Sequence, residues 1–405
     1  MHGRRALLRS ALVLAASAGL VPPLAALAPL ALAPLFAVAA CATLALDGRV
    51  VVDAVRWVWP LALLLFLLAV WATLSAVWSI LPRHSVIEGL RLLLVAASGV
   101  VLLAAGCTLS ARERQLVAAA ACIGLVLGLA LLLFKASIDA LVMRLILGHA
   151  VPLTHFDRGA TTLVLALWPV LAAATGRHAF AGFAFALASV ASVFALDSDA
   201  AVLAIVVGFA GFAAGWLAPR LAAASLAIGL ALAAAALPLA IPDYSTVLAV
   251  HQHAPWIKWS GIHRLLIWRF TADRIGERPL LGWGMDASRE IPGGKTHFAD
   301  LFPNAGLPSD AEALPLHPHN AVLQWEVELG IPGTVLCLAI VWWGLWRIGF
   351  AAALPRGARA GALAWAVSAL VIALLSYGIW QAWWLSALFL TAATYAAIVP
   401  GPDPA

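Results

Sequence analysis

Residues Trp57–Ser79 read WVWPLALLLFLLAVWATLSAVWS. The run carries no charged side chain, and it exceeds the roughly 20 apolar residues that a helix needs to cross a hydrocarbon core about 30 Å thick. Trp57, Trp59 and Trp78 sit at its ends, where amphipathic rings favour a membrane–water interface. A bilayer admits only helices and closed barrels, because every backbone N–H and C=O must be satisfied without water. A barrel strand is short and alternates apolar with polar residues, whereas this run is long and unbroken. It predicts a membrane-spanning helix.

The rest of the chain repeats the pattern. Of 405 residues, 64% are hydrophobic and 11% charged, with a mean hydropathy of +1.00. Soluble domains run at about 45–50% apolar and about 25% charged. The expected fold is therefore an all-α polytopic membrane protein. Cutting at charged and Pro/Gly-rich breaks gives about twelve transmembrane helices. They begin with Ala6–Leu20 and Leu24–Leu46, the ninth ends at Ile241, and the last three cover Ala321–Phe350, Ala360–Tyr377 and Gln381–Val399. This divides the chain into 1–241 with nine spans, 242–320 as one large loop, and 321–405 with three spans. The basic start MHGRRALLRS followed by small apolar residues also resembles a signal peptide.

With the N-terminus inside, the short cytoplasmic segments hold twelve Lys/Arg and the opposite short segments five, namely Arg83, Arg91, Lys135, Arg144 and Arg158. That bias follows the positive-inside rule and puts both termini in the cytoplasm and the 242–320 loop outside. Trp216, Trp380, Trp383 and Trp384 fit an interfacial belt or packing between helices. Cys41, Cys107, Cys122 and Cys337 all lie in apolar runs, so they read as small buried hydrophobes and not as a disulfide or zinc framework. The net charge of +5 comes with no nucleic-acid-binding pattern.

Polar chemistry concentrates in the loop, which carries seven Lys/Arg, eight Asp/Glu and six of the eleven histidines. Its HRLLIWRFTADRIGERPLLGWG stretch has a helical rhythm through Leu265, Ile267, Trp268 and Ile275, then a Pro/Gly turn. The loop ends in HPHNAVLQWEVELGIPG, from His317 to Gly333. Pro318 disfavours helix at His317, and Asn320 is a good cap, so a helix is expected to begin at His319 or Asn320. His319 would then sit at a helix mouth as a general-base candidate, with His317 shaping the loop. Asn320, Gln324 and Glu328 recur at one-turn spacing and share a face, and polar groups entering a membrane line a cavity or meet partners. Gly330 and Gly333 would allow close approach of another helix. No matched metal-ligand spacing accompanies the histidines, so no metal is expected. Arg264, Arg269 and Arg289 could bind phosphate or simply snorkel, and Arg158 could bind a ligand or pair with Asp157.

His319-Asn320, nine residues, then Gly330-Ile-Pro-Gly333 resembles the HN-x9-GxxG signature of the bacterial O-antigen ligase family. RLLIW and ERPLLGWG are similar to the stretches that precede it there, and the helix-rich architecture with one late loop matches as well. O-antigen polymerases and protein O-oligosaccharyltransferases share much of this motif. The resemblance implies a GT-C-like membrane glycosyltransferase in the bacterial inner membrane, its site facing the periplasm. It would use undecaprenyl-diphosphate-linked O-antigen as donor and lipid A-core as acceptor in lipopolysaccharide biosynthesis, without metal or other cofactor. It implies His319 as catalytic base and Arg264 as a diphosphate ligand, with Arg158, Arg269 and Arg289 as further candidates. His317, Asn320, Gln324 and Glu328 would support them. One departure is Asp199 in ALDSDAAVLA, where relatives often carry an Arg. An O-antigen polymerase would use the same donor with a lipid-linked acceptor. A secondary transporter would need ionisable residues at mid-depth and repeat-related broken helices, and the spans are nearly free of charge there.

Overall fold

The computed structural model describes residues 9–147, 156–174, 179–196, 198–350 and 354–399. Fifteen α-helices make up the described architecture, with no strand and a single isolated β-bridge, His297 to Glu312. They are α1 (Arg9–Leu27), α2 (Leu32–Ala54), α3 (Trp59–Leu74), α4 (Pro82–Cys107), α5 (Ala111–Leu147), α6 (Asp157–Ala173), α7 (Ala179–Ala195), α8 (Asp199–Leu217), α9 (Pro219–Ala240), α10 (Tyr244–His253), α11 (Trp259–Glu277), the short α12 (Phe298–Leu301), α13 (Ala321–Phe350), α14 (Arg356–Leu375) and α15 (Ala382–Ile398).

Among the described residues, nine helical segments are long and apolar enough to cross a membrane, namely α1 to α5, α8, α9, α13 and α14. The protein is a multi-pass membrane protein. The other three expected spans fall on α6, α7 and α15, each of 17 residues. At 1.5 Å per residue such a helix covers about 25 Å, somewhat less than the hydrocarbon thickness.

The first two expected spans are displaced. Helix α1 continues through Pro22 and Pro23 to Leu27, and α2 begins only at Leu32. Proline is tolerated inside a helix where neighbouring helices cover the freed backbone groups, and Val21, Pro22, Ala25 and Ala26 are all buried. The basic start Met1–Leu8 lies outside the described residues.

The main apolar core runs through α1 to α6 and α15, with Trp168 and Trp384 wholly buried. A second core joins α10 and α11 to Trp283, Phe298, Leu314, Leu323 and Val327. It fastens the Ile241–Asn320 connection onto the start of α13. Helix α10 opens on an Asp243 cap, whose Oδ1 accepts from the Thr246 amide at 2.9 Å.

Candidate functional site

Helix α13 is broken at Gly330, which takes φ 62° and ψ −165°, a region open essentially to glycine alone. A break frees backbone groups, and each needs a partner. The Pro279–Gly284 turn supplies most of them. Trp283 N donates to Val327 O at 2.8 Å and Gly284 N to Glu328 O at 2.8 Å, while Ile331 N donates to Pro279 O at 3.2 Å. Trp71 Nε1 reaches Leu329 O at 2.9 Å, and Thr334 Oγ1 reaches Gly330 O at 2.9 Å. Gly282, at φ 70°, packs so closely on this break that a Cβ would fall 2.5 Å from the Glu328 carbonyl. The Gly-Ile-Pro-Gly and Pro-x-x-Gly-x-Gly stretches are thus two sides of one backbone junction.

Asn320 caps α13 as expected, with Oδ1 accepting from the Leu323 amide at 3.1 Å, and the helix itself begins at Ala321. His319 precedes the cap at φ 55°, strained for a side chain of its size. Helix α11 holds this loop from behind. Trp268 Nε1 donates to Pro318 O at 2.9 Å, and His263 Nε2 lies 2.9 Å from Glu312 O. Arg264 sits one turn before Trp268, so the Arg-x-x-x-Trp spacing grips the histidine loop with one residue and brings a cation to it with the other.

His319 Nδ1 lies 2.6 Å from Ser376 O. A carbonyl only accepts, so Nδ1 carries the hydrogen and Nε2 keeps its lone pair. Burial holds the His319 pKa below its ordinary 6.5; Arg264 and His263 push the same way, against the Ser376 hydrogen bond. Among the described residues no hydrogen bond or ion pair reaches the half-buried Arg264 guanidinium, whose pKa is also lowered, mainly by burial.

His317 lies elsewhere than the sequence reading put it. It lines a cavity of about 340 Å³ together with Arg91, Arg158, Asp286, Arg289, Gln324, Gln381 and Trp383, whereas His319 does not. His317, expected only to shape the loop, thus stands on the cavity wall. The two rings are 4.3 Å apart. The Gly378 amide approaches His317 Nε2 at 3.2 Å and the His319 amide approaches Nδ1 at 3.3 Å. Burial, with His319 and Arg289 nearby, pushes His317 down to about 3. The ring is therefore neutral, and it accepts through one nitrogen at a time.

Of the expected phosphate ligands, Arg158 and Arg289 line the cavity, and Arg158 lies 5.5 Å from the Trp383 ring. Arg289 donates to Asp286 Oδ2 at 2.7 Å. Arg264 and Arg269 are not on its wall; Arg269 pairs with Asp273 and donates to Ile241 O. Asp199 pairs with Lys258 at 2.8 Å.

Glu328 is wholly buried behind the cavity. Its carboxylate accepts from Ser288 Oγ at 2.5 Å, Trp380 Nε1 at 2.6 Å, the Asp286 amide at 3.1 Å and Gln324 Nε2 at 3.2 Å. Gln324 Oε1 in turn accepts from the Ile379 amide at 2.9 Å. One carboxylate thus ties α13 to the Gly282–Arg289 turn and to the α14–α15 link. Among the described residues His84, Glu88 and Asp286 bring ligand atoms within 4.8 Å of one another. Arg91 pairs with Glu88 and Arg289 with Asp286, so the trio forms an ion-pair network already balanced by cations.

The sequence reading missed Arg91, Asp286 and the link Ser376–Gln381. Their only signal was a polar Gln381 set among Trp380, Trp383 and Trp384. Those tryptophans are buried against the site and its helices instead of forming an interfacial belt.

Fold and cavity together describe a multi-pass helical membrane protein with Arg91, Arg158, Arg289 and His317 gathered on one polar cavity. Residues 183–338 match the family model described as O-Antigen ligase. Proteins named "Putative polysaccharide ligase" are similar to it. The one from Rickettsia conorii is 39% identical over 127 residues, 31% of this chain and 29% of that protein. That from Rickettsia felis is 37% identical over 127 residues, 31% and 30% of the two chains. That from Rickettsia prowazekii is 38% identical over 126 residues, 31% and 29%. The alignments thus span less than a third of these relatives. The matched segment contains Arg264, Arg289, His317, His319 and Glu328 but neither Arg91 nor Arg158.

Proposed function

We propose that this protein is an O-antigen ligase of the bacterial inner membrane, joining polysaccharide carried on undecaprenyl diphosphate to lipid A-core at the periplasmic face. The observation that carries this reading is His319, its Nδ1 committed to Ser376 and its Nε2 left with a lone pair, beside an Arg264 cation that no ion pair reaches among the described residues. The acceptor hydroxyl gives its proton to Nε2 as its oxygen attacks the anomeric carbon of the donor. The bond from that carbon to the diphosphate oxygen breaks on the opposite side and the electron pair leaves with the diphosphate, so the configuration inverts. Fixed guanidinium groups stabilise the departing charge, a task that preorganised cations perform without a metal. Both substrates are lipid-anchored, so the site must be reachable from the membrane. The basic-residue bias of the short segments supports the periplasmic orientation.

Purified protein supplied with lipid-linked glycan and lipid A-core in excess EDTA tests the reading. His319→Ala should lower transfer by about 10²–10⁴ with expression unchanged, the usual worth of general acid–base assistance. Arg264→Lys should lose most activity although it keeps the charge, because an ammonium cannot form the bidentate fork. The pH profile carries the sign of the His319 shift. Nε2 must be unprotonated, so activity should fall as pH drops through a value below 6.5. Full activity of His319→Ala, abolition by the chelator, or growth of the lipid-linked glycan in place of transfer to lipid A-core would overturn it.

A further inference from the structure

Helix α4 contributes a charge to the cavity that neither the sequence signature nor the matched segment contains. Arg91 lines the same 340 Å³ space as Arg158 and Arg289, so guanidinium groups from three separate segments converge there. The one carboxylate on its wall, Asp286, is already shared between Arg289 and His84. The cavity therefore holds a surplus of positive charge. It also holds an unused donor: Arg289 Nε is buried and has no acceptor among the described residues. A buried donor without a partner costs about 1–3 kcal/mol, and an incoming anionic oxygen would remove that cost.

Arg91 is arranged differently from the other two. Its Nη2 donates to Trp380 O at 3.0 Å, which fixes the side chain at the wall, and its charge is paired with Glu88, four residues after His84 on the same helix. Glu88 is buried, and its Oε2, the oxygen that Arg91 contacts, has no aligned hydrogen bond among the described residues. The pair is thus one of charge without an aligned hydrogen bond, which leaves the guanidinium fork free for a better-matched acceptor. A phosphate oxygen offers the same fork-matching geometry with more charge.

We propose that Arg91 is a third anion-binding residue, that together with Arg158 and Arg289 it receives a diphosphate in this cavity, and that Glu88 stands in for the anion until it arrives. The identity of the anion rests on the ligase reading; the site itself rests on the three guanidinium groups. The volume lies at the low end of the roughly 300–1,000 Å³ of ligand pockets, which suits a diphosphate head group.

Titration of the full-length, detergent-purified protein with inorganic pyrophosphate separates this from a purely structural ion pair. Arg91→Gln should weaken binding at least about tenfold, whereas Glu88→Gln should bind as tightly as wild type or more tightly, because it removes the competitor. If Arg91→Gln does not fold, Arg91→Lys should still weaken pyrophosphate several-fold. Wild-type affinity in either Arg91 variant, or equal losses from Glu88→Gln and the Arg91 variants, would overturn the proposal. Pyrophosphate binding needs neither acceptor nor transfer. Arg91-dependent binding without any glycan transfer would sink the ligase reading alone, and transfer with Arg91-independent binding would sink this inference alone.

Discussion

The two halves of α13 share one helix and obey opposite rules. Every residue from Ala321 to Gly330 is buried, including Gln324, Glu326 and Glu328. Past the break, Ile331, Val335, Trp342, Trp346 and Phe350 are exposed, at 53%, 55%, 43%, 56% and 46%. Exposed apolar side chains at that density suit a bilayer, where they cost nothing, while carboxylates buried in the first half demand donors. The first half is built as a protein interior around a polar site and the second as a lipid-facing span. Gly330 is where one solvent regime ends and the other begins.

The strongest way to break this contrast is at Glu328. Glu328→Ala would strand donors from Ser288, Asp286, Trp380 and Gln324 in a fully buried place. Unpaired buried groups cost about 1–3 kcal/mol each, so the loss should exceed about 3 kcal/mol even if some find water. A large drop in thermal unfolding temperature, with transfer activity lost, is the expected outcome. A folded, active Glu328→Ala protein would mean that the first half tolerates its polar groups as loosely as a surface does.

Much of this was legible beforehand, and the limits have physical causes. Hydropathy reads the solvent around a helix, so the bundle was visible, and the motif at His319 to Gly333 marked the Asn320 cap and the site's rim. Arg91 was read only as one of the outer basic residues, because its partners Trp380 and Arg289 lie about 200 or more positions away and meet it only after folding. Trp380, Trp383 and Trp384 look the same in composition whether they face head groups or a carboxylate. In the sequence the two histidines are told apart only by Pro318, which sets an extended residue before a helix-starting one. The positive φ of His319 and the amide of Gly378 decide which ring meets the cavity, and neither has a local signature.

Gly330→Ala tests the boundary itself. A side chain at φ 62° costs about 1–3 kcal/mol in backbone strain, and the added Cβ would also collide with the Leu280 carbonyl. Stability should fall by at least that amount, and the pairing of Trp283 and Gly284 with α13 should loosen, which amide exchange at those two residues would report. Gly344→Ala is the matching change in the lipid-facing half and the smallest effect expected. Its Cβ meets nothing within 4 Å. Alanine is the better helix former by about 1 kcal/mol, so this variant should unfold at the same temperature as wild type or slightly above it. Should Gly344→Ala destabilise the protein as much as Gly330→Ala, the outer face of the second half must be packed against another chain. The contrast between an enclosed half and a lipid-bathed half would then fail.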